Sequence, residues 1–328
     1  MNIVITSYLP ESVHSIFTLN AEHDLQSALK NIVEFYVAPQ QRLFSKQCIK
    51  DRALNYGDGC FTTMYGESDA IFLFNEHFQR LARDCQKLSI NVCLDTVKQW
   101  LLIGLGSMIT KCHRAYAVKI IISRGVGGRG YELPEDANTS VIMSIFPSQP
   151  VDSKIAQSDN YHFSVKQANM SLSTQPLLAG IKHLNRLEQV LAKRELQQYE
   201  CDDLILCDQA GILIEATAAN IFYKKDGVWF TPELLNCGVS GVMREAILTF
   251  FKNEGLAYKV VPALFCELIN ADSIFLCNAI KFLTPVSTLS VASNIYSFDV
   301  LQASALNGNV YEWISMQKSE RLSLGGGI

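Results

Sequence analysis

The 328-residue sequence lacks several features that characterise common classes of protein. None of its ten cysteines forms a C-x-x-C pair, which argues against a zinc or dithiol redox site. Its net charge of −4 leaves no basic stripe for a nucleic-acid partner. No apolar run is long enough to span a bilayer, and the N-terminus lacks the basic and apolar segments of a signal peptide. We therefore expect a cytoplasmic globular protein with reduced thiols, no nucleic-acid partner and no membrane partner.

Other sites are missing as well. The six histidines show no ligand spacing with carboxylates or cysteines, so no metal is expected. There is no G-x-S-x-G elbow for a serine nucleophile. The segment GVGGRG (125–130) satisfies G-x-G-x-x-G, but YELPEDANTS follows it where a dinucleotide site needs a helix. We interpret it as a loop between strands, in which Arg129 either is solvated or contacts a ligand carboxylate.

What the sequence does contain is a globular pattern, with 48% hydrophobic and 18% charged residues. Periodicity predicts helices at 75–88, about 95–112, 240–255 and about 298–318, with a further candidate at about 22–35. It predicts β runs at 115–123, 140–147, 161–170, 203–208, 212–217, 219–224, 227–231, 258–263 and 273–278. The pattern indicates two α/β domains with a boundary near 148–160.

The segment AGIKHLNRLEQVL (179–191) contains a lysine that helix packing does not explain. Leu184, Leu187 and Leu191 are spaced as the packed face of a helix. Lys182 precedes that helix. Most lysines are surface charges, but a lysine in a site can instead form a Schiff base with a carbonyl group.

Two other segments carry weak signals that gain weight beside Lys182. Glu215 lies in the strand-like run LIEATAANIFY, where it either faces solvent or needs a partner. The segment SGVMRE begins a helix, with Ser240 as a candidate N-cap and glycines nearby, and it is either an ordinary capped helix or an anion site. A lysine, a carboxylate and a helix N-terminus together are what pyridoxal 5′-phosphate requires.

The residues of four stretches carry a family resemblance: DRALNYGDGCFTT, NEHFQRL, SRGVGGRGY, and LAGIKHLNRLEQVLAKRE followed by EATAANIF. Over about residues 36–315 the chain resembles the fold-type IV pyridoxal-phosphate enzymes, which include branched-chain and D-amino-acid aminotransferases and aminodeoxychorismate lyases. The lysine stretch and the RGVGGRGY stretch are most similar to the lyases. The resemblance implies a small α/β domain (36–150), a larger pseudo-barrel α/β domain (158–318) and a homodimer. Residues 1–35 form an N-terminal extension of unknown role.

The resemblance also implies roles for individual residues. Lys182 corresponds to the Schiff-base lysine, and Glu215 to the partner of the pyridinium nitrogen. Arg80 corresponds to a phosphate ligand, while Thr63 corresponds to the active-site threonine. The lyases commonly carry an acidic residue where this chain has Thr62. The remaining implied contacts are the phosphate cup of Val242, Met243, Asn278 and Ala279, and the substrate carboxylate ligands Arg129 and Lys281.

The implied reaction is a β-elimination that converts 4-amino-4-deoxychorismate to p-aminobenzoate, a folate precursor, and pyruvate. Lys182 would act as the general base, and Thr63 would donate or relay the proton that completes pyruvate. Two alternatives remain open on the residues alone. One is an aminotransferase acting on D-amino or branched-chain amino acids, and the other is a fold-type IV protein that binds a ligand or partner without catalysis.

Overall fold

The computed structural model describes residues 2–8, 14–20, 50–109, 115–135, 138–151 and 161–316. Their contacts divide the chain into two compact units, each built on its own sheet. The first unit comprises the described residues up to Pro150 together with Lys182–Asn185. The second comprises those of Val151–Ile181 and Arg186–Lys318.

The described residues form α-helices, strands and a 3-10 helix. The α-helices are α1 (Arg52–Tyr56), α2 (Phe74–Lys87), α3 (Leu94–Ile109), α4 (Leu187–Leu196), α5 (Val242–Asn253) and α6 (Leu301–Met316), with a 3-10 helix at Phe265–Asn270. The strands of the first unit are β1 (Asn2–Tyr8), β2 (His14–Asn20), β3 (Gly59–Glu67), β4 (Ala70–Ile71), β5 (Ala115–Val126) and β6 (Asn138–Pro147). Those of the second are β7 (Phe163–Leu172), β8 (Asp203–Asp208), β9 (Leu213–Ala216), β10 (Asn220–Lys225), β11 (Val228–Pro232), β12 (Tyr258–Val261), β13 (Ser273–Asn278), β14 (Phe282–Val291) and β15 (Asn294–Ser297).

The sheet of the first unit has the strand order β2-β1-β6-β5-β3-β4. Strands β3, β5 and β6 are antiparallel neighbours, and β6 alternates buried with partly buried residues as a sheet with one covered face requires. Part of the N-terminal extension joins this sheet, because β1 pairs in parallel with β6 and β2 pairs with β1. The candidate helix at 22–35 lies outside the described residues.

Helix α2 confirms the helix predicted at 75–88 to within one residue at each end. Its apolar residues Phe78, Leu81 and Cys85 are buried at the spacing that one helical face requires. Helix α3 agrees with the prediction up to Ile109, and 110–112 lie outside the described residues. The predicted strands at 115–123 and 140–147 are the hairpin partners β5 and β6.

The second unit is built on a nine-stranded sheet of order β12-β11-β10-β13-β14-β7-β8-β9, with β15 paired to β14. Its main core includes Val165, Ile205, Ile221, Ile274 and Leu289, contributed by five different strands. The predicted strands are present, and the α/β fold class is confirmed. No described helix has the length and hydropathy needed to cross a bilayer.

Strand β14 is absent from the sequence-based prediction, and it lies in the middle of this sheet. It contains Pro285, and a proline disfavours a central strand because it cannot donate a ladder hydrogen bond. The sheet accommodates it beside a register shift between Val286 and Thr288, where β14 pairs with β7.

Candidate active site

The segment around Lys182 runs alongside β3 as a short extended piece. The Phe61 N–H donates to the Lys182 carbonyl (2.9 Å), and the Leu184 N–H donates to the Gly59 carbonyl (3.0 Å). The Lys182 N–H donates to Asp84 Oδ2 (3.1 Å), a buried carboxylate on α2. Hydrogen bonds therefore hold both the N–H and the carbonyl of this lysine, so its backbone has a defined position.

The helix after Lys182 begins later than the sequence predicts, and its leucines are not packed. Helix α4 starts at Leu187 because Lys182–Asn185 are taken up by pairing with β3. Leu187 is 69% exposed and Leu191 is 37% exposed. The expectation that Leu184, Leu187 and Leu191 form a packed helix face is wrong for this chain.

Helix α2 presents a second, polar row beside its apolar one. His77, Arg80 and Asp84 lie at positions i, i+3 and i+7, which places them on one side of the helix, and all three are buried. Arg80 Nη2 donates to Thr62 Oγ1 on β3, and Thr62 Oγ1 lies 2.6 Å from His77 Nδ1. Burial lowers the pKa of Arg80 to about 10, which still leaves the guanidinium charged at neutral pH.

Thr62 and its neighbour Thr63 point to opposite faces of β3, because successive side chains of a strand alternate. Thr63 is partly buried and shares its face with Phe61. The Lys182 Nζ lies 4.7 Å from the centroid of the Phe61 ring. Lys119, the register partner of Thr63, places its own Nζ 5.0 Å from the same ring. The structure therefore brings Lys182 to the Thr63 face of β3, and it places Arg80 on the Thr62 face.

The glycine-rich loop after β5 is held by a buried arginine that the sequence did not single out. Arg52 Nη1 donates to the carbonyls of Gly127, Gly130 and Glu132 at 2.9–3.3 Å. No helix follows β5 within 127–135, so a dinucleotide turn is absent from the described part of the loop. Arg129 is exposed in this loop.

Glu215 is buried in β9 of the second unit, so the expectation that it needs a partner applies. Its Oε2 accepts the Val239 N–H at 2.9 Å. On the other side of the same residue, Asn220 Nδ2 donates to the Val239 carbonyl at 2.8 Å. Glu215 and Asn220 thus fix the segment that leads into α5.

Helix α5 begins with Gly241 as its N-cap, and this glycine has no side chain that could accept a hydrogen bond from the first turn. The prediction that Ser240 is the N-cap is wrong, because Ser240 Oγ instead bonds Glu245 Oε1 at 2.9 Å. Val242 and Met243 are the first two helical residues, and their amides lie at the positive end of the helix dipole. An alanine at Gly241 would bring its Cβ into overlap with Asn220 Oδ1.

The turn after β13 holds the last three predicted residues. Asn278 Oδ1 accepts the N–H groups of Ile280 and Lys281 (2.9 and 2.8 Å), so its side chain closes the turn that contains Ala279. Lys281 is exposed, with its Nζ 4.8 Å from the centroid of the Phe163 ring. Asn278 and Lys281 both line an open pocket within the second unit.

Six of the ten predicted site residues fall into two groups, while Asn278, Ala279 and Lys281 lie at the turn after β13 and Arg129 lies in an exposed loop. Lys182, Thr63 and Arg80 lie around β3 in the first unit, and Glu215 with the start of α5 forms a group in the second. Sequence reasoning missed His77, Asp84 and Asn220. The spacing of His77, Arg80 and Asp84 was a usable signal, since a polar row next to an apolar helix face is costly unless it has partners.

Among the described residues, no group of three or more histidine, cysteine or acidic side chains is placed to hold a metal ion. The eight cysteines within the described ranges are free thiols. Two of them, Cys60 and Cys85, lie with their sulfurs 3.7 Å apart, and both are buried.

Comparisons with known proteins place this chain in a family. Residues 59–289 match amino-transferase class IV. The aminodeoxychorismate lyase of Vibrio harveyi is 34% identical over 262 residues, which are 79% of this chain and 94% of the relative. A crystal structure of 4-amino-4-deoxychorismate lyase from Pseudomonas aeruginosa has a TM-score of 0.74 at 30% identity, covering 83% of this chain and 96% of that one.

A hypothetical aminotransferase from Mycobacterium tuberculosis, solved in a PLP-bound form, shares the fold. Its TM-score is 0.70 at 16% identity, and the match covers 86% of this chain and 96% of that one. The fold-type IV resemblance of the sequence is therefore confirmed, and the chain belongs to the class IV amino-transferase family.

Proposed function

We propose that this protein is a lyase that converts 4-amino-4-deoxychorismate to p-aminobenzoate and pyruvate, a reaction that supplies folate biosynthesis. Relatives named for this activity match the chain over most of its length, both in sequence and in structure. The geometric observation that carries the proposal is the placement of Lys182. Its backbone is fixed between β3 and Asp84, while its amine lies on the Thr63 face.

The enzymes of this family depend on pyridoxal 5′-phosphate, and the residues of the chain fit that group. Arg80 Nε is buried and has no hydrogen-bond partner among the described residues, as expected of a guanidinium that awaits an anion. The uncapped first turn of α5 offers a second place for phosphate oxygens.

We propose the following roles towards the cofactor. Lys182 would hold it covalently, and Glu215 would pair with its ring nitrogen. Arg80 and the amides of Val242 and Met243 would bind its phosphate, supported by Asn278 and Ala279. When bound, the cofactor supplies an electron sink for the negative charge that develops on the substrate carbon.

The residues of the chain would carry the proton transfers. The Lys182 amine would remove the proton from the amine-bearing carbon of the substrate, as general base. Loss of enolpyruvate from the neighbouring carbon makes the ring aromatic, so the reaction needs no keto-acid acceptor. Thr63 lies on the same face of β3 as the Lys182 amine, which supports its role in delivering the proton that completes pyruvate. Arg129 and Lys281 would bind the two substrate carboxylates.

A keto-acid omission experiment tests the reaction directly. Purified protein supplied with pyridoxal phosphate and 4-amino-4-deoxychorismate should release p-aminobenzoate and pyruvate in equal amounts without any keto acid. Release that depends on an added keto acid would instead identify an aminotransferase. Failure to retain the cofactor, seen as no visible absorbance band and no borohydride-trapped label on Lys182, would identify a non-catalytic member of the family.

We also propose that the enzyme is a cytoplasmic homodimer of two-domain subunits. The domains are 36–150 and 158–318, with 1–35 as an extension. The exposed Leu187, Val190 and Leu191 on α4 support an interface between copies, since such residues are usually covered when they cluster. The free thiols of the described residues suit a reducing compartment. Light scattering on the purified protein should give twice the 36.6 kDa chain mass.

A further inference from the structure

The contact between Thr62 and Arg80 has a direction that hydrogen-bond chemistry determines. A guanidinium carries only donors, so Arg80 Nη2 must donate to Thr62 Oγ1. The Thr62 hydroxyl still has one hydrogen to donate, and His77 Nδ1 lies 2.6 Å away. We infer that Thr62 Oγ1 accepts from Arg80 and gives its own hydrogen to His77 Nδ1, so that the hydrogen bonds run from Arg80 to Thr62 and from Thr62 to His77.

This direction requires a neutral His77 with its proton on Nε2, because only an unprotonated Nδ1 can accept. The surroundings of His77 favour that state. Complete burial, followed by the positive charges of Arg80 and Lys182, holds the pKa of His77 well below its usual value near 6.5. The imidazole is therefore neutral at physiological pH, and it is available as the terminal acceptor.

These two hydrogen bonds orient the Arg80 guanidinium without neutralising its positive charge. Thr62 and His77 are both uncharged, so these hydrogen bonds place no negative charge against the guanidinium. Asp84, one turn along α2, acts on Arg80 through its charge, which favours the charged guanidinium, while its Oδ2 accepts the Lys182 N–H. Arg80 Nε remains without a hydrogen-bond partner among the described residues.

We propose that Thr62 and His77 are positioning residues that align Arg80 through a one-way hydrogen-bond relay and leave its positive charge for the cofactor phosphate. The inference rests on the proposed function, in that it takes Arg80 as a phosphate ligand. It adds Thr62 and His77 to that function. These residues would not contact the cofactor, and they would change its affinity only through the contact of Arg80 with the phosphate.

The phosphate dependence gives the decisive test. The full-length protein, freed of cofactor, is titrated with pyridoxal phosphate and separately with pyridoxal, which lacks the phosphate. Thr62→Val keeps the shape but removes the acceptor, so it should weaken pyridoxal-phosphate binding about tenfold and leave pyridoxal binding unchanged. Thr62→Ser keeps the hydroxyl and should stay within about twofold of wild type for both.

A further variant separates the relay from general damage. Thr63→Val is the matched control, since it makes the same change on the opposite face of β3, and it should not alter the ratio of the two affinities. Equal losses for both ligands, an unchanged ratio in Thr62→Val, or an equally altered ratio in Thr63→Val would each overturn the proposal.

The direction of the relay can be tested separately, by determining which nitrogen of His77 carries the proton. Nitrogen-15 spectra of His77, assigned with a His77→Asn variant, should show the neutral Nε2–H form, and an Nδ1–H form would contradict the relay. Neither this measurement nor the ligand titrations depends on turnover. A protein that shows the predicted ratios but releases no p-aminobenzoate would disprove the lyase and leave the relay standing.

Discussion

The two units present their candidate anion-binding groups by different means. In the first, a buried side chain, Arg80, is held by Thr62 and His77. In the second, the anion-binding groups are the backbone amides that follow Gly241 at the start of α5, and this glycine has no side chain to cap them. A substitution can remove the Arg80 side chain, but it cannot remove a backbone amide and can only move it. In the first unit a substitution should therefore act by removing a functional group, and in the second by displacing the amides of α5.

Replacing Lys182 is the strongest test of the chemical role given to the first unit. We expect Lys182→Ala to lower p-aminobenzoate release by roughly a thousandfold or more, because both the covalent anchor and the general base are lost. Lys119→Ala is the matched control, since that lysine approaches the same Phe61 ring. Its rate should stay close to wild type. Similar rates for wild type and Lys182→Ala in a steady-state assay would rule out the mechanism.

Glu215 tests whether the second unit contributes charge as well as position. Gln at 215 can still accept the Val239 N–H but carries no negative charge. We expect Glu215→Gln to reduce turnover about a hundredfold while cofactor absorbance is retained. Glu245→Gln is the control. Glu245 is a half-exposed carboxylate that pairs with Arg244, and its replacement should have little effect on turnover. Loss of the cofactor band in Glu215→Gln would show instead that this carboxylate is mainly a structural support.

Gly241 tests the backbone site by displacement. In Gly241→Ala the new Cβ overlaps Asn220 Oδ1, so the bond from Asn220 to the Val239 carbonyl must break or shift. We expect pyridoxal-phosphate affinity, measured by fluorescence titration, to fall about tenfold. Ser240→Ala is the control, because Ser240 does not cap α5, and it should change the affinity less than twofold. The reverse order of the two effects would mean that Ser240 caps the helix in solution.

His77 gives the smallest expected effect, and it is one on stability. Its pKa is lower in the folded protein than the usual value near 6.5, so below that pH the unfolded chain binds more protons. The free energy of unfolding should therefore be fully retained above pH 6.5 and should fall by about 1.4 kcal/mol per pH unit below it. Urea unfolding at pH 5.5 and 7.5 should show this loss, and His77→Asn should lack it.

Exposed His162 provides the control for that measurement. His162→Asn should keep the pH dependence of the wild type, because it leaves the buried His77 in place. If His77→Asn also kept it, the titration would belong to another group.

Local patterns account for the parts of the fold that were predicted. The apolar spacing of α2 and the β-rich runs of β5 and β6 are set by neighbours in the chain, and the structure shows them where expected. Strand β14 escaped prediction because Pro285 contradicts a central strand locally, and only its pairing with β13 and β7 overrides that preference.

Long-range pairing explains the rest of what was missed. The start of α4 was misplaced because His183 pairs with Cys60, which is more than a hundred residues away in the sequence. The partners of the relay, Thr62 and His77, meet only once α2 packs on β3. No hydrophobic periodicity in the sequence predicts this contact, because Thr62 lies in a strand and His77 lies in a helix.

The sequence by itself determined the family and the cofactor class, because these depend on short stretches such as GIKHLNRLEQ and EATAANIF. Tertiary structure alone decided which threonine of the pair Thr62 and Thr63 supports Arg80 and which faces Lys182. Adjacent residues of a strand point to opposite faces, and only the packing of α2 against β3 shows which face is buried.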